Sequence, residues 1–116
     1  MPRITNAPAS RKRRKRVLEQ AKGFRGRASK NIRTAMDAVD KAMAHAYVGR
    51  KQKKRQYRRL WTVRINAACR QLGSNYSSFM NALKKAGIEL NRKTLSELAV
   101  REPEMFKAIF DKVAKV

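Results

Sequence analysis

The sequence predicts an all-α protein: a long basic helical N-terminal extension followed by a small C-terminal helical domain. Three observations carry this. No stretch alternates apolar and polar residues as a strand would, apolar residues recur at helical spacing through the second half, and the positive charge is concentrated in the first. The 116 residues hold 30 Lys+Arg against 8 Asp+Glu, a net charge of +22. Residues 1–59 carry 20 Lys+Arg and 3 acids, net +17, whereas residues 60–116 carry 10 and 5, net +5. The expected division is therefore an extension over 1–59 and a domain over 60–116. A self-repelling cationic half is compact only beside a polyanion, either nucleic acid or an anionic membrane.

Hydropathy speaks against the membrane, because no stretch approaches the ~20 apolar residues of a crossing helix. Residues 1–10 hold only Ile4 as a bulky aliphatic, unlike a signal peptide, so a reducing compartment, the cytoplasm, is expected. A single cysteine, Cys69, and a single histidine, His45, exclude an internal disulfide and a Cys/His zinc site made by this chain alone. No Gly-rich phosphate loop or Ser/His/Asp order is present, and Asp37/Asp40 is the lone carboxylate pair. Neither an enzyme nor a cofactor is expected.

Taken in order, the first element is the run Arg11, Lys12, Arg13, Arg14, Lys15 and Arg16. A helix here is charged on every side, so the run suits phosphates or solvent and no core. Val17, Leu18 and Ala21 follow as a brief apolar edge. Gly23 and Gly26 then mark a break between helices, with Lys22, Arg25 and Arg27 flanking a turn that lets backbone approach phosphate. From Arg27 to Leu72 there is no proline and one glycine, Gly49, so these 46 residues can form one helix of about 69 Å. Its stripe of Ile32, Met36, Val39, Met43 and Ala46/Tyr47 is expected to pack on the preceding short helix or on a neighbouring protein.

Between Gly49 and Arg59 the stripe vanishes. Arg50, Lys51, Lys53, Lys54, Arg55, Arg58 and Arg59 leave Tyr57 as the only apolar side chain, and a helix cationic all round belongs in nucleic acid or water. Arginine outweighs lysine in several clusters, which favours bidentate phosphate contacts and stacking on bases. Trp61, Ile65, Ala68 and Leu72 resume the stripe and begin a core. Gly73 stops the helix. Ser77 is the expected N-cap of a helix with Phe79, Met80 and Leu83 on one side, ended by Gly87; Asn91 caps the next, with Leu95, Leu98 and Ala99. Glu102-Pro103 opens the last, with Phe106, Ile109, Phe110 and Val113 at i, i+3, i+4, i+7. On this pattern Trp61 belongs to the core, Tyr57 is the better base-stacking candidate, and Tyr76 can do either. Cys69 reads as a small buried hydrophobe, and His45 as a packing or RNA-edge residue.

The segments QAKGFRGRASK (20–30), RKQKKRQYRRLWTVRINAACRQLG (50–73) and YSSFMNALKKAGIELNRKTLSELAV (76–100), with the closing helix from Pro103, resemble the bacterial-type large-subunit ribosomal protein twenty family. The match runs nearly end to end. RLWTVRINAA followed by KKAGIELNRK is far more specific than the basic runs. The resemblance implies a structural constituent of the large ribosomal subunit that binds its ribosomal RNA directly, beside neighbouring ribosomal proteins, and promotes early subunit assembly. For some members it also implies repression of their own messenger RNA. By position it implies RNA contacts at Arg11, Lys12, Arg13, Arg14, Lys15, Arg16, Lys22, Arg25, Arg27, Lys30 and Arg33. It extends them through Arg50, Lys51, Lys53, Lys54, Arg55, Tyr57, Arg58 and Arg59 to Arg64 and Asn66 at the domain junction. Gly49 and Gln56 stand where typical members have acids, and Ile4-Thr5-Asn6-Ala7 where they have an early Lys/Arg pair.

Composition alone also admits an architectural DNA protein, but a helix with cations on every side suits burial in folded RNA better than one groove. A bacterial ribosome is expected rather than a plastid one.

Overall fold

A computed structural model of the chain describes residues 6–115 and is helical throughout, with no strand among the described residues. Ile4 and Thr5 lie outside them. The helices are α1 (Ala7–Gln20), α2 (Ile32–Gln71), α3 (Tyr76–Lys85), α4 (Arg92–Arg101) and α5 (Pro103–Ala114), with a 3-10 turn at Gly26–Ser29. Two compact units meet in sequence at Lys51/Gln52.

In the first unit, α1 opens with a proline in its first turn, where the missing N–H costs nothing. The run from Arg11 to Arg16 is helical and wholly exposed. The apolar edge that follows it packs. Ala21, Ala35 and Val39 form a small buried cluster, with Val17, Leu18 and Phe24 half-buried around it.

The long helix begins at Ile32, not at Arg27, and is 40 residues rather than the expected 46. The carbonyl of Arg27 is taken up by the turn. It accepts from the backbone N–H of Lys30 and of Asn31, at 3.1 and 2.8 Å, and from the Thr34 hydroxyl at 3.1 Å. Of the stripe expected to pack on α1 or on a neighbouring protein, Ile32 is half-buried beside Leu18 and Val39 is buried. Its partner is the unforeseen Ala35 one turn earlier, whereas Met36, Met43 and Tyr47 are 50, 54 and 56 % exposed. The apolar edge at the end of α1 is short and covers no more than about two turns of α2.

The second unit holds the main core: Ile65 and Cys69 from α2, Phe79 and Leu83 from α3, Leu95 from α4, Phe106 and Val113 from α5. Leu72, Leu98, Ile109 and Phe110 pack on it half-buried. The rings of Phe79 and Phe106 lie 5.3 Å apart and tilted, those of Phe79 and Phe110 5.6 Å apart and stacked. Each such pair adds about 0.5–1.5 kcal/mol beyond burial.

Trp61 is not part of this core. It is half-buried on α2, one turn before Ile65, and faces a cleft described below.

The caps follow the local chemistry. Asn75, not Ser77, caps α3, its side-chain oxygen accepting from the Ser78 N–H at 2.8 Å; Asn91 does the same for α4 with the Thr94 N–H at 2.8 Å. Asparagine reaches the third N–H of the helix as well as serine does, and Ser77 already lies inside the first turn. Gly73 ends α2 at φ +79° and Gly87 follows α3 at φ +67°, backbone conformations in which a side chain is strained. Glu102 alone separates α4 from α5, which opens on Pro103.

Candidate nucleic-acid interface

Every residue of α2 from Met43 to Leu60 is exposed. Arg50, Lys51, Lys53, Lys54, Arg55, Arg58 and Arg59 therefore project on all sides of one continuous helix, with Tyr57, 48 % exposed, among them. The ammonium of Lys51 lies 4.4 Å from the Tyr47 ring centroid, a cation–π contact one helical turn long that leaves the charge open to a phosphate. Gly49 is helical here and exposed.

The first unit gathers cations that the sequence separates. Arg14 of α1 shares a shallow depression with Lys30 and Arg33, on the far side of the turn, and a second with Arg11, Lys15 and Lys22. The glycine break brings part of the run at 11–16 beside cations of 22–33 and raises the local density of positive charge. Lys12, Arg13, Arg16, Arg25 and Arg27 are exposed outside these depressions.

In the second unit a cleft of about 710 Å³ lies between α2 and α4. Tyr57, Trp61 and Arg64 line it from α2, one helical turn apart, with Lys53, Lys54 and Arg58 at its rim; Lys93, Ser96 and Glu97 line it from α4. The rings of Tyr57 and Trp61 are 6.4 Å apart at 43°. These contacts draw residues 53–58 into the second unit. Ser96 is fully buried, and its Oγ has no hydrogen-bond partner.

Lys93, Ser96 and Glu97 escaped the sequence reading because their role depends on which face of α4 meets α2. A solvated Lys and Glu four apart on a helix look the same wherever they point.

Asn66 sits differently from the cations around it. Half-buried, it accepts through Oδ1 from the backbone N–H of Tyr76 at 3.2 Å and so ties α2 to the first turn of α3. Tyr76 packs its ring on the core, and its hydroxyl accepts from Arg92 Nε at 2.7 Å.

Cys69 is fully buried, and burial pushes its thiol up to about 11, so it is neither nucleophile nor ligand at neutral pH. His45 is exposed, and among the described residues no group of three His, Cys, Asp or Glu is placed to hold a metal ion. No helix among them is long and apolar enough to cross a membrane.

The comparisons with known proteins agree with one another. The family model for ribosomal protein L20 matches residues 3–109. The large ribosomal subunit protein bL20 of Methylacidiphilum infernorum is 61 % identical over 115 residues, covering 99 % of this chain and 95 % of that one. Those of Akkermansia muciniphila and Salinibacter ruber are 56 and 51 % identical, over 99 and 97 % of this chain and 91 and 98 % of theirs. With the family model and these relatives matching nearly end to end, the chain belongs to the ribosomal protein L20 family.

Proposed function

We propose that the protein is a structural constituent of the large ribosomal subunit that binds large-subunit ribosomal RNA directly and acts early in subunit assembly. The observation that carries the reading is the stretch from Met43 to Leu60, helical, exposed on every side and bearing seven cations. No protein core accepts such a helix and no lipid surface does either, since an interfacial helix needs a broad apolar face. Folded RNA supplies phosphates from several directions at once. An α-helix cannot read the deep, narrow groove of A-form RNA, so the cations at 11–16, 22–33 and 50–59 hold phosphates, and specificity comes from the shape and unpaired bases of the RNA.

The membership of the family supports the same partner, because the relatives are named as large-subunit proteins. Neighbouring ribosomal proteins are the expected cover for the exposed Met36, Met43 and Tyr47. Repression of its own messenger RNA rests on the resemblance alone and is tested by a gel shift with the leader of that messenger. The bacterial cytoplasm is the proposed setting.

The experiment is a salt titration of the full chain on large-subunit ribosomal RNA. Log K against log[salt] should fall by about 0.7–0.9 for each phosphate neutralised. A slope steeper than about −4 is expected with several clusters engaged; one shallower than about −2 would falsify the threading of the basic helices through RNA.

A further inference from the structure

The cleft between α2 and α4 has properties that phosphate binding alone does not require. It is walled by two aromatic rings, Tyr57 and Trp61, 6.4 Å apart. Its volume, about 710 Å³, lies in the range of small-molecule sites, ~300–1,000 Å³. Its floor includes Ser96, a fully buried side chain whose hydroxyl is unpartnered. Buried hydroxyls are ordinarily paired. Arg64 and Lys93 flank the aromatic wall from opposite helices, and Glu97 is the one acid among the lining residues. A carboxylate repels phosphate, so its place on a cationic cleft fits a ligand edge that donates hydrogen bonds.

We propose that this cleft is a socket for one unstacked RNA base, guanine in preference to uracil. The inference rests on the RNA-binding reading above and deepens it. The base stacks on Trp61 with Tyr57 at its border, and the phosphates on either side of it meet Arg64 and Lys93. Glu97 accepts from the adjacent ring N–H and exocyclic amino group of guanine, an edge on which uracil sets a single N–H between two carbonyls. A protein side chain is the poorer occupant, since the cores of protein interfaces are depleted of charge and this cleft is rimmed by it.

Trp61 is the only tryptophan of the chain, so its fluorescence reads the socket directly. The test titrates the full-length protein with three end-labelled single-stranded hexamers of equal charge, UUGUUU, UUUUUU and an abasic strand, reading affinity in every variant from the anisotropy of the label and stacking in the wild type from Trp61 emission. Retention of large-subunit ribosomal RNA on filters is measured in parallel. Stacking should quench Trp61 with UUGUUU, less with UUUUUU, and little with the abasic strand. Trp61→Leu should weaken UUGUUU binding about tenfold and leave abasic binding unchanged, with Trp61→Phe restoring the difference. Glu97→Gln should erase the gap between UUGUUU and UUUUUU while both stay above the abasic strand. Equal response to UUGUUU and the abasic strand, with ribosomal RNA still retained, overturns the socket and leaves the RNA reading standing. Loss of retention overturns both.

Discussion

The side-chain oxygen of Asn66 accepts the backbone N–H of Tyr76 at 3.2 Å, so a residue late in α2 caps the first turn of α3, ten residues on. A polar side chain on the same helix as the basic stretch thereby holds the fold. Asn66→Ala is expected to destabilise the second unit by about 1–2 kcal/mol, read as a lower midpoint in urea, because it leaves that N–H unpaired. Asn66→Asp keeps an acceptor and removes the amide donor. If the amide also contacts RNA, Asn66→Asp should weaken RNA binding while the urea midpoint stays near wild type; unchanged affinity would make the residue purely architectural.

Arg55, Arg58 and Arg59 are exposed on the basic stretch of α2. Replacing all three with alanine should weaken binding to ribosomal RNA and to unrelated structured RNAs alike, and reduce the magnitude of the salt slope by about 2–3. Thermal unfolding should not fall, since none of the three packs on the core. A loss confined to one RNA would identify base reading where phosphate contact is expected.

The two units should differ in stability without RNA. The second buries Ile65, Phe79, Leu83, Leu95 and Phe106, each side chain giving about 1.5–3 kcal/mol against the entropy of ordering. Among the described residues the first buries only Ala21, Ala35 and Val39 amid a dense positive charge. In the free full-length protein, amides around Phe79–Leu83 and Phe106–Val113 should be protected from exchange, while those of Arg11–Lys54 exchange rapidly. Adding ribosomal RNA should protect the latter. Residues 60–116 expressed alone should keep the cooperative unfolding transition and residues 1–59 should have none.

Stability should also fall at alkaline pH through Cys69. Burial pushes its folded thiol up to about 11 from the ordinary 9.0, so the native state holds its proton more tightly than the unfolded chain. The contribution is fully present below pH 9 and is lost as pH rises from 9 through 11, with a total of about 2–3 kcal/mol. Lysines and tyrosines titrate in the same window, so the measurement compares wild type with Cys69→Ala. The variant should start less stable, from the cavity it leaves, and lose less between pH 9 and 11. In native buffer the thiol should react with disulfide reagents only after unfolding.

Two glycines should respond to alanine with opposite sign. Gly49 is helical, and a Cβ there meets nothing within 4 Å, so Gly49→Ala should add about 1 kcal/mol of helix stability and raise helicity in the RNA complex. Gly73 has φ +79°, where Gly73→Ala should cost about 1 kcal/mol and lower the urea midpoint.

By itself the sequence determined the all-helical class, the end of α2 at Gly73, the cap at Asn91, the start of α5 at Pro103 and most of the second core. These follow from local chemistry: which backbone angles a residue tolerates, which N–H a side chain can reach, and whether apolar residues recur at 3.6. It determined the basic stretch around 50–59 as well, because a helix with cations on all sides needs no knowledge of its neighbours. Tertiary structure decided what depends on facing. It started α2 at Ile32 by drawing the Arg27 carbonyl into a turn, and it put Ala35 rather than Met36 against α1. It moved Trp61 from the core to a cleft wall, although its spacing to Ile65 is that of a core residue. The physical reason is that a stripe gives the direction of a face along its own helix, whereas burial depends on where a second helix crosses and ends. At Trp61 the neighbouring helix is α4 with Lys93 and Glu97, and a face that would have been core becomes the wall of an open, charged cleft.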